Sequence, residues 1–459
     1  MTYLHIIGIA LSLISMITLS IYSGKAAKKS EGLSAKVVAG SIMGTLVGGS
    51  STVGTAQLAY TFGMSAWWFT LGSGIACLIL ALFFAKPLHK SGHKTLIEFI
   101  SEKYGSRNGL IASVLSSLGS FINIISQLIA ATAIIAVVLP NLPLVLSLFI
   151  SAAFMVLYII FGGTKGSGLV GILKMLLLYA SMMASGVLVL FLSKGLTGFT
   201  QLVGAIDNPS NVNFGSLFAR GVGTDLGAML SLVLGVITTQ SYAQPIFAAK
   251  NTKSATRGAL LSAALIPPVG IGGILVGLYM RATSPGISPK TALTLFVTQH
   301  MPPLFSGIVL GALFIAVVGT GAGLALGIST VLRRDILTPL MKKKGRGFLD
   351  KTVERMLIVV LLFSACLLCT GPFGDTILKF AFMSMGLRGA TLFAPLCFAL
   401  WYKGDIDHHY TGAAIFAGPI SVLIFELWGV LPFDPLFAGV AISLGIMFLG
   451  HFSKRHKAL

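Results

Sequence analysis

The sequence predicts an all-α integral membrane protein of about thirteen transmembrane helices, arranged as a five-plus-five inverted-repeat core with two broken helices. Three observations carry this expectation. Of 459 residues, 55% are hydrophobic and only 10% charged, against about a quarter charged in a soluble domain; mean hydropathy is +0.92. The apolar residues fall in blocks of the ~20 residues that a helix needs to cross roughly 30 Å of hydrocarbon. Two of those blocks are interrupted by glycine and polar residues, roughly 190 residues apart, the pattern of an inverted repeat whose broken helices flank a midplane site.

The elements follow in order. Spans are expected near residues 3–23, 36–62, 65–85, 109–138, 141–161, 168–193, 224–249, 257–281, 303–332, 353–371, 376–402, 409–430 and 436–452. All are helices, because lipid offers no partner to an unpaired backbone group. The first block has neither a basic flank before it nor a small-residue cleavage site, so it reads as a retained span rather than a signal peptide. Segment 86–108, with Leu96, Ile97, Phe99 and Ile100 between polar ends, reads as a short interfacial helix; segment 285–302, bounded by prolines, reads as its counterpart on the other side. The interruptions are Gly44–Gln57 in the second span and Gly235–Pro245 in the seventh. Long spans beginning near 109 and 303 keep a similar offset, and five spans per unit invert the second unit. The expected units are 1–34 (an extra helix and loop), 35–223 and 224–404 (the two repeats) and 405–459 (two further spans and a tail).

A net charge of +19 would suit nucleic acid, but its distribution argues otherwise. Alternate loops collect Lys25, Lys28, Lys29, then Lys86, Lys90, Lys94, Lys103 and Arg107, then Lys250, Lys253 and Arg257, then Arg333, Arg334 and Lys342–Lys344, then Lys403, Lys454, Arg455 and Lys457. The opposite loops hold Lys194, Arg220, Arg281 and Lys290. This is the positive-inside asymmetry, which places the N-terminus outside and the C-terminus in the cytoplasm of a cell inner membrane. The partners implied are the bilayer and a small-molecule solute; nucleic acid is not implied, and a homo-oligomer is left open. Cys366 and Cys369 form a CxxC inside a span with no histidine or second pair beside it, which reads as packing rather than redox chemistry.

Four motifs, in the right order on the right spans, resemble the solute:sodium symporter family. The first core helix runs from Gly44 to Gly63 and ends in Tyr60-x-x-Gly63. The sixth ends Gln240-x-x-x-Gln244-x-x-x-Ala248-Ala249-Lys250, with Pro245 where the family carries Arg. The eighth ends Ser329-Thr330-Val331-x-x-Arg334-Asp335-Ile336. The tenth ends Ala399-Leu400-Trp401-Tyr402-Lys403, followed by Thr411-Gly412-Ala413. The resemblance implies alternating access and a sodium ion between core helices one and eight, held by the carbonyls of Gly44, Val47 and Ala316 and the Thr320 hydroxyl. Gly319 stands where the family usually places a second hydroxyl; with Gly323 and Gly327 it also has the spacing of a packing face. In core helix five the family's Trp-Thr-Asp-x-x-Gln is replaced by Leu169, Val170 and Gly171, with Lys174 one turn on. Lys174 reads either as snorkelling to the cytoplasmic interface or as an ammonium standing in for the coupling cation. No organic cofactor is expected.

Solute contacts are sought at the breaks. Gly48, Gly49, Ser50, Ser51 and Thr52 would offer free backbone N–H groups at a half-helix end, which favour an anion. Asn123 and Gln127 of core helix three, and Thr238, Thr239 and Gln240 of core helix six, would face them, each equally able to make an ordinary interhelical hydrogen bond. Arg388 lies midway along its span, where a cation costs about 2.5–3.5 kcal/mol on insertion scales. Lys379 and Glu426 lie near outer ends, and Glu426 is expected as the only acid within a span. These residues point to a sodium-coupled symporter of a small organic anion or carboxylate-bearing zwitterion. The alternatives are a proton-coupled or uncoupled transporter of a neutral solute, or a membrane sensor. No H-E-x-x-H, G-x-S-x-G or phosphate loop suggests an enzyme.

Overall fold

The computed structural model describes residues 2–26, 32–206, 211–338, 351–370, 377–402, 404, 406–429 and 433–457. Of the basic residues that set the expected orientation, Lys28, Lys29, Lys342, Lys343, Lys344 and Lys403 lie outside them. The described chain is helical, as its unbroken apolar blocks require. In order the helices are α1 (Tyr3–Ala26), α2 (Ala35–Leu46), α3 (Thr55–Phe62), α4 (Trp68–Ile79), α5 (Ala85–Lys90), α6 (Leu96–Tyr104), α7 (Ser106–Val138), α8 (Leu144–Leu192), α9 (Gly195–Gly204), α10 (Val222–Thr238), α11 (Gln240–Phe247), α12 (Thr252–Leu265), α13 (Pro267–Thr283), α14 (Ala292–His300), α15 (Pro303–Val331), α16 (Lys351–Cys369), α17 (Ile377–Trp401), α18 (His408–Trp428) and α19 (Pro435–Lys457).

Among the described residues nine helices are long and apolar enough to cross a membrane, or ten if the bent pair α10 and α11 forms one span; Tyr3–Met16, Ala35–Leu46 and Leu144–Ile159 are apolar but shorter. The multi-pass class is as expected, whereas the number of spans is not reproduced as thirteen. Part of the difference is α8, whose helical backbone runs without interruption across the expected fourth and fifth core spans. It cannot be straight. Tyr158 and Lys174 both approach Gly319 of α15, yet sixteen residues of straight helix would set them about 24 Å apart along the axis. The chain therefore bends between them, and its two limbs both reach α15.

Glycine sets how closely the helices pack. A side chain on Gly171 of α8 would collide with the Gly40 carbonyl of α2, and one on Gly44 would come 2.7 Å from Gly171 Cα. α1 packs on α15 through Gly8 and Gly307, where any Cβ would strike the other helix's backbone. The interfacial helix α6 begins with a capping box between Thr95 and Glu98, which satisfies two otherwise orphaned N–H groups. Cys366 and Cys369 are free and buried, with their thiols directed at the carbonyls of Leu148 and Ile125.

Candidate functional site

The first break is built by α2, α3 and the residues between them. α2 stops at Leu46, Val47 is extended (φ −89°, ψ 103°), and Ser50–Gly54 form a π-helical turn before α3. Gly48 and Gly49 are glycine for lack of space. A Cβ on Gly48 would collide with the Thr320 hydroxyl and lie 2.8 Å from Gln127 Oε1, and one on Gly49 would strike Ala130 of α7.

Of the N–H groups expected to be free here, those of Gly48 and Gly49 are already bonded. Gly48 donates to Ser51 Oγ at 2.8 Å and Gly49 to Gln127 Oε1 at 2.9 Å. Gln127 Nε2 donates to Ser50 Oγ at 3.0 Å and to Asn123 Oδ1 at 3.3 Å, while Thr52 Oγ1 donates to the Gly48 carbonyl at 2.9 Å. A break in a dry interior needs such partners, because an unpaired buried amide costs about 1–3 kcal/mol. In this arrangement Gln127, Ser51 and Thr52 bond the backbone and Ser50 side chain of the break, and Asn123 orients Gln127.

Gly44, Val47 and Thr320 do converge, as the family resemblance implied, but the position among them belongs to Lys174. Its Nζ donates to the Gly44 carbonyl at 2.5 Å and to Thr320 Oγ1 at 2.7 Å; Thr320 in turn donates to the Val47 carbonyl at 3.3 Å. Ala316 is buried one turn earlier on α15. Lys174 is 2% exposed, so the reading in which it snorkels to the interface does not hold. Gly319 is also not the tight packing position that its spacing suggested. A Cβ there would lie 3.6 Å from Lys174 and Tyr158, whereas Gly323 and Gly327 press against Thr45 and Ser241. An ammonium and a sodium ion seek the same oxygen lone pairs, and two unit positive charges about 4 Å apart repel by roughly 4 kcal/mol at an effective dielectric of 20. In this structure the Lys174 ammonium therefore takes two of the oxygens that the resemblance assigns to sodium.

The second break lies at Thr239, extended (φ −95°, ψ 124°) between α10 and α11, where the two helices bend by 45°. Thr239 Oγ1 donates back to the Gly235 carbonyl and accepts Arg388 Nη1 at 2.6 Å. Arg388 is 0% exposed. Its Nε donates to the Ser384 carbonyl at 3.0 Å, and its Nη2 to Ser384 Oγ at 2.9 Å and to Met385 Sδ at 3.1 Å. Tyr242 lies beside it. Arg388 thus joins α17 to the break between α10 and α11, both in the second expected repeat, with no carboxylate among these partners. Two of its acceptors, a hydroxyl and a thioether, are weak for a guanidinium. Ser384 and Met385 were not among the expected residues, though their places four and three positions before Arg388 on one helix were a usable signal.

Gln240 belongs elsewhere. Its Oε1 accepts the Leu96 N–H at 2.9 Å and its Nε2 donates to the Lys94 carbonyl at 3.0 Å, tying the second break to α6 rather than facing the first. Glu426 is not the only acid within a span either. Asp225, in the first turn of α10, is fully buried, pairing with Arg220 at 2.6 Å and accepting from Ser65 at 2.7 Å. Helix N-termini favour such a carboxylate. Fourteen residues separate it from Thr239, about 21 Å of helix, so it does not balance Arg388. Glu426 instead pairs with Lys379 at 3.5 Å. A cavity of about 400 Å³ opens on this face, lined by Leu58, Phe62, Arg220, Phe382 and Glu426 among others, and its wall includes Ser231 and Gly386. Gly386 is two residues from Arg388 along α17; none of the expected solute contacts lines the cavity.

Comparison with known proteins bears on what this arrangement serves. A family profile described as the sodium:solute symporter family matches residues 29–404. High affinity choline transporter 1 of Homo sapiens is 25% identical over 436 residues, covering 90% of this chain and 73% of that protein. A Na+-coupled sialic acid symporter, solved in a substrate-bound outward-open state, superposes with a TM-score of 0.76 at 18% identity, covering 98% and 96% of the two chains. Mhp1, a nucleobase-cation-symport-1 family transporter, gives 0.61 at 15% identity, covering 92% and 94%.

Proposed function

Because the chain belongs to the sodium:solute symporter family, and is therefore a multi-pass membrane transporter and not an enzyme, we propose that it carries a small carboxylate-bearing solute, an organic anion or a zwitterion, across the membrane by alternating access. Residues 35–223 and 224–404 are the two units that rock about the breaks, and the N-terminus lies outside the cell membrane. The observation that carries the solute class is Arg388: fully buried, joined to a broken helix, and held on its Nη2 edge by a hydroxyl and a thioether. A carboxylate would displace one of these weak acceptors on Nη2 and the Thr239 hydroxyl on Nη1, making two parallel charge-assisted bonds. The 400 Å³ cavity supplies an approach toward Arg388 from the face expected to be external.

The relatives named for choline suggest a quaternary ammonium. Here a bare cation would meet Arg388 and Lys174 as like charges, with Asp225 already paired. What transfers is an ammonium group on a molecule that also bears a carboxylate. Sodium symport is the expectation the family carries, and whether this chain retains it turns on Lys174.

Counterflow into proteoliposomes tests the reading. Vesicles preloaded with monocarboxylates, amino acids, trimethylglycine, choline or a neutral sugar are assayed for exchange of the corresponding labelled solute. Exchange confined to carboxylate-bearing solutes is expected. Robust exchange of choline or the sugar, with none for carboxylates, defeats the solute class while leaving the transporter fold intact.

A further inference from the structure

We propose that Lys174 is the resident cation of this transporter: its ammonium replaces sodium between α2 and α15, and the transport cycle runs without sodium at that position. This rests on the reading of the chain as a secondary transporter and concerns its ion site alone.

The site is built, not incidental. Gly171, one turn before Lys174, has no side chain to keep α8 from α2, and it lies against Gly40 and Gly44. That approach lets the buried lysine stem run along α2 to the break. There the ammonium finds a carbonyl released by the end of α2 and a hydroxyl of α15, at 2.5 and 2.7 Å. These are oxygens of the kind a hard cation selects. An ammonium has three donors, and two are accounted for here. The lysine Nζ lies 3.6 Å from where a Gly319 Cβ would stand. The second hydroxyl that the family resemblance places at this position is absent where the lysine stem has come in, so loss of one cation ligand and gain of a tethered cation go together. A lysine fixed to α8 cannot be released into the cytoplasm, so the bond across α2, α8 and α15 is present at every stage in which those helices stay together. A sodium ion would close the same contact only when bound.

The test uses the purified full-length protein in detergent and the melting temperature measured in sodium chloride against potassium chloride, with no solute present, so its outcome is separate from that of the transport assay. The wild type should melt at the same temperature in both salts. Lys174→Ala combined with Gly319→Ser removes the ammonium and supplies the missing hydroxyl. It should gain a saturable, sodium-specific rise of about 2 °C or more. Gly319→Ser alone has room at 3.6 Å and should raise the melting temperature equally in both salts by accepting the third ammonium proton; this keeps the test informative if the lysine variant does not fold. A saturable sodium shift in the wild type that Thr320→Val abolishes overturns the proposal. So does a Gly319→Ser rise seen in sodium only, or a folded double variant that stays blind to sodium.

Discussion

At the scale of single residues, the fully buried Arg388 separates a structural role from a solute-binding one. A lysine at this position keeps the charge but not the planar fork. If the fork receives the solute carboxylate, Arg388→Lys should raise the apparent KM about tenfold or more, the loss of roughly 1.4 kcal/mol or above, with folded yield near normal. Arg388→Gln should bind still more weakly. Parallel loss of folded protein in both variants, measured by size-exclusion recovery, would make the residue a strut between α17 and α10 instead. The residue itself was legible in the sequence because a lone arginine amid apolar neighbours has few explanations. Its partners were legible only in part: Ser384 and Met385 are on its own helix, whereas Thr239 is 149 residues away. Lys174 shows the opposite failure. Counting residues placed it near the interface, but α8 bends and crosses α2 at glycines, which carries the ammonium to the break. Gln240 was assigned to the breaks for its position in the chain, while its hydrogen bonds to Leu96 and Lys94 depend on where α6 docks, and no local pattern encodes that.

At the scale of elements, the space between packed helices divides the glycines into those that can change and those that cannot. Gly48 sits where a Cβ meets the Thr320 hydroxyl and Gln127, both already committed to hydrogen bonds. Gly48→Ala should cost about 1–3 kcal/mol through overpacking, seen as a lower melting temperature. Gly319→Ala, with its nearest neighbours at 3.6 Å, should melt within about 0.5 kcal/mol of the wild type. Equal losses for the two would refute the distinction. The interruptions were readable from sequence because glycine and hydroxyl residues rarely cluster in a span without a reason. What escaped that reading is that Ser51 and Gln127 accept the break's own N–H groups and Thr52 donates to its Gly48 carbonyl, since the same residue types would serve a ligand or the backbone equally well.

At the scale of the whole molecule, the expected orientation rests on charge alone. Cysteine accessibility in intact cells can check it, after the four native cysteines are replaced by alanine. Asn211→Cys, in the segment after α9, should react with an impermeant thiol reagent. Glu102→Cys, on the exposed face of α6, should react only after the cells are opened. The reverse pattern would invert the topology and with it the side to which the 400 Å³ cavity opens. The helical class was plain from hydropathy, whereas the expected thirteen spans are not counted out by the described helices, partly because α8 carries two expected spans as two limbs of one bent but continuous helical backbone.

One small feature links these scales. Ahead of α2, Leu33 donates to the Ala248 carbonyl and accepts from Lys250, both at 2.9 Å, a single β-bridge that sews the start of one broken helix to the end of the other. The two half-helices on this face therefore cannot part without breaking that pair. Opening toward the face expected to be cytoplasmic then leaves two courses: the stitch holds and both halves swing as one panel, or it unzips and exposes two amides together. In the first course the Leu33 and Lys250 amides remain protected from deuterium throughout the cycle. In the second they exchange in step, and their common rate is the opening frequency of the inner gate.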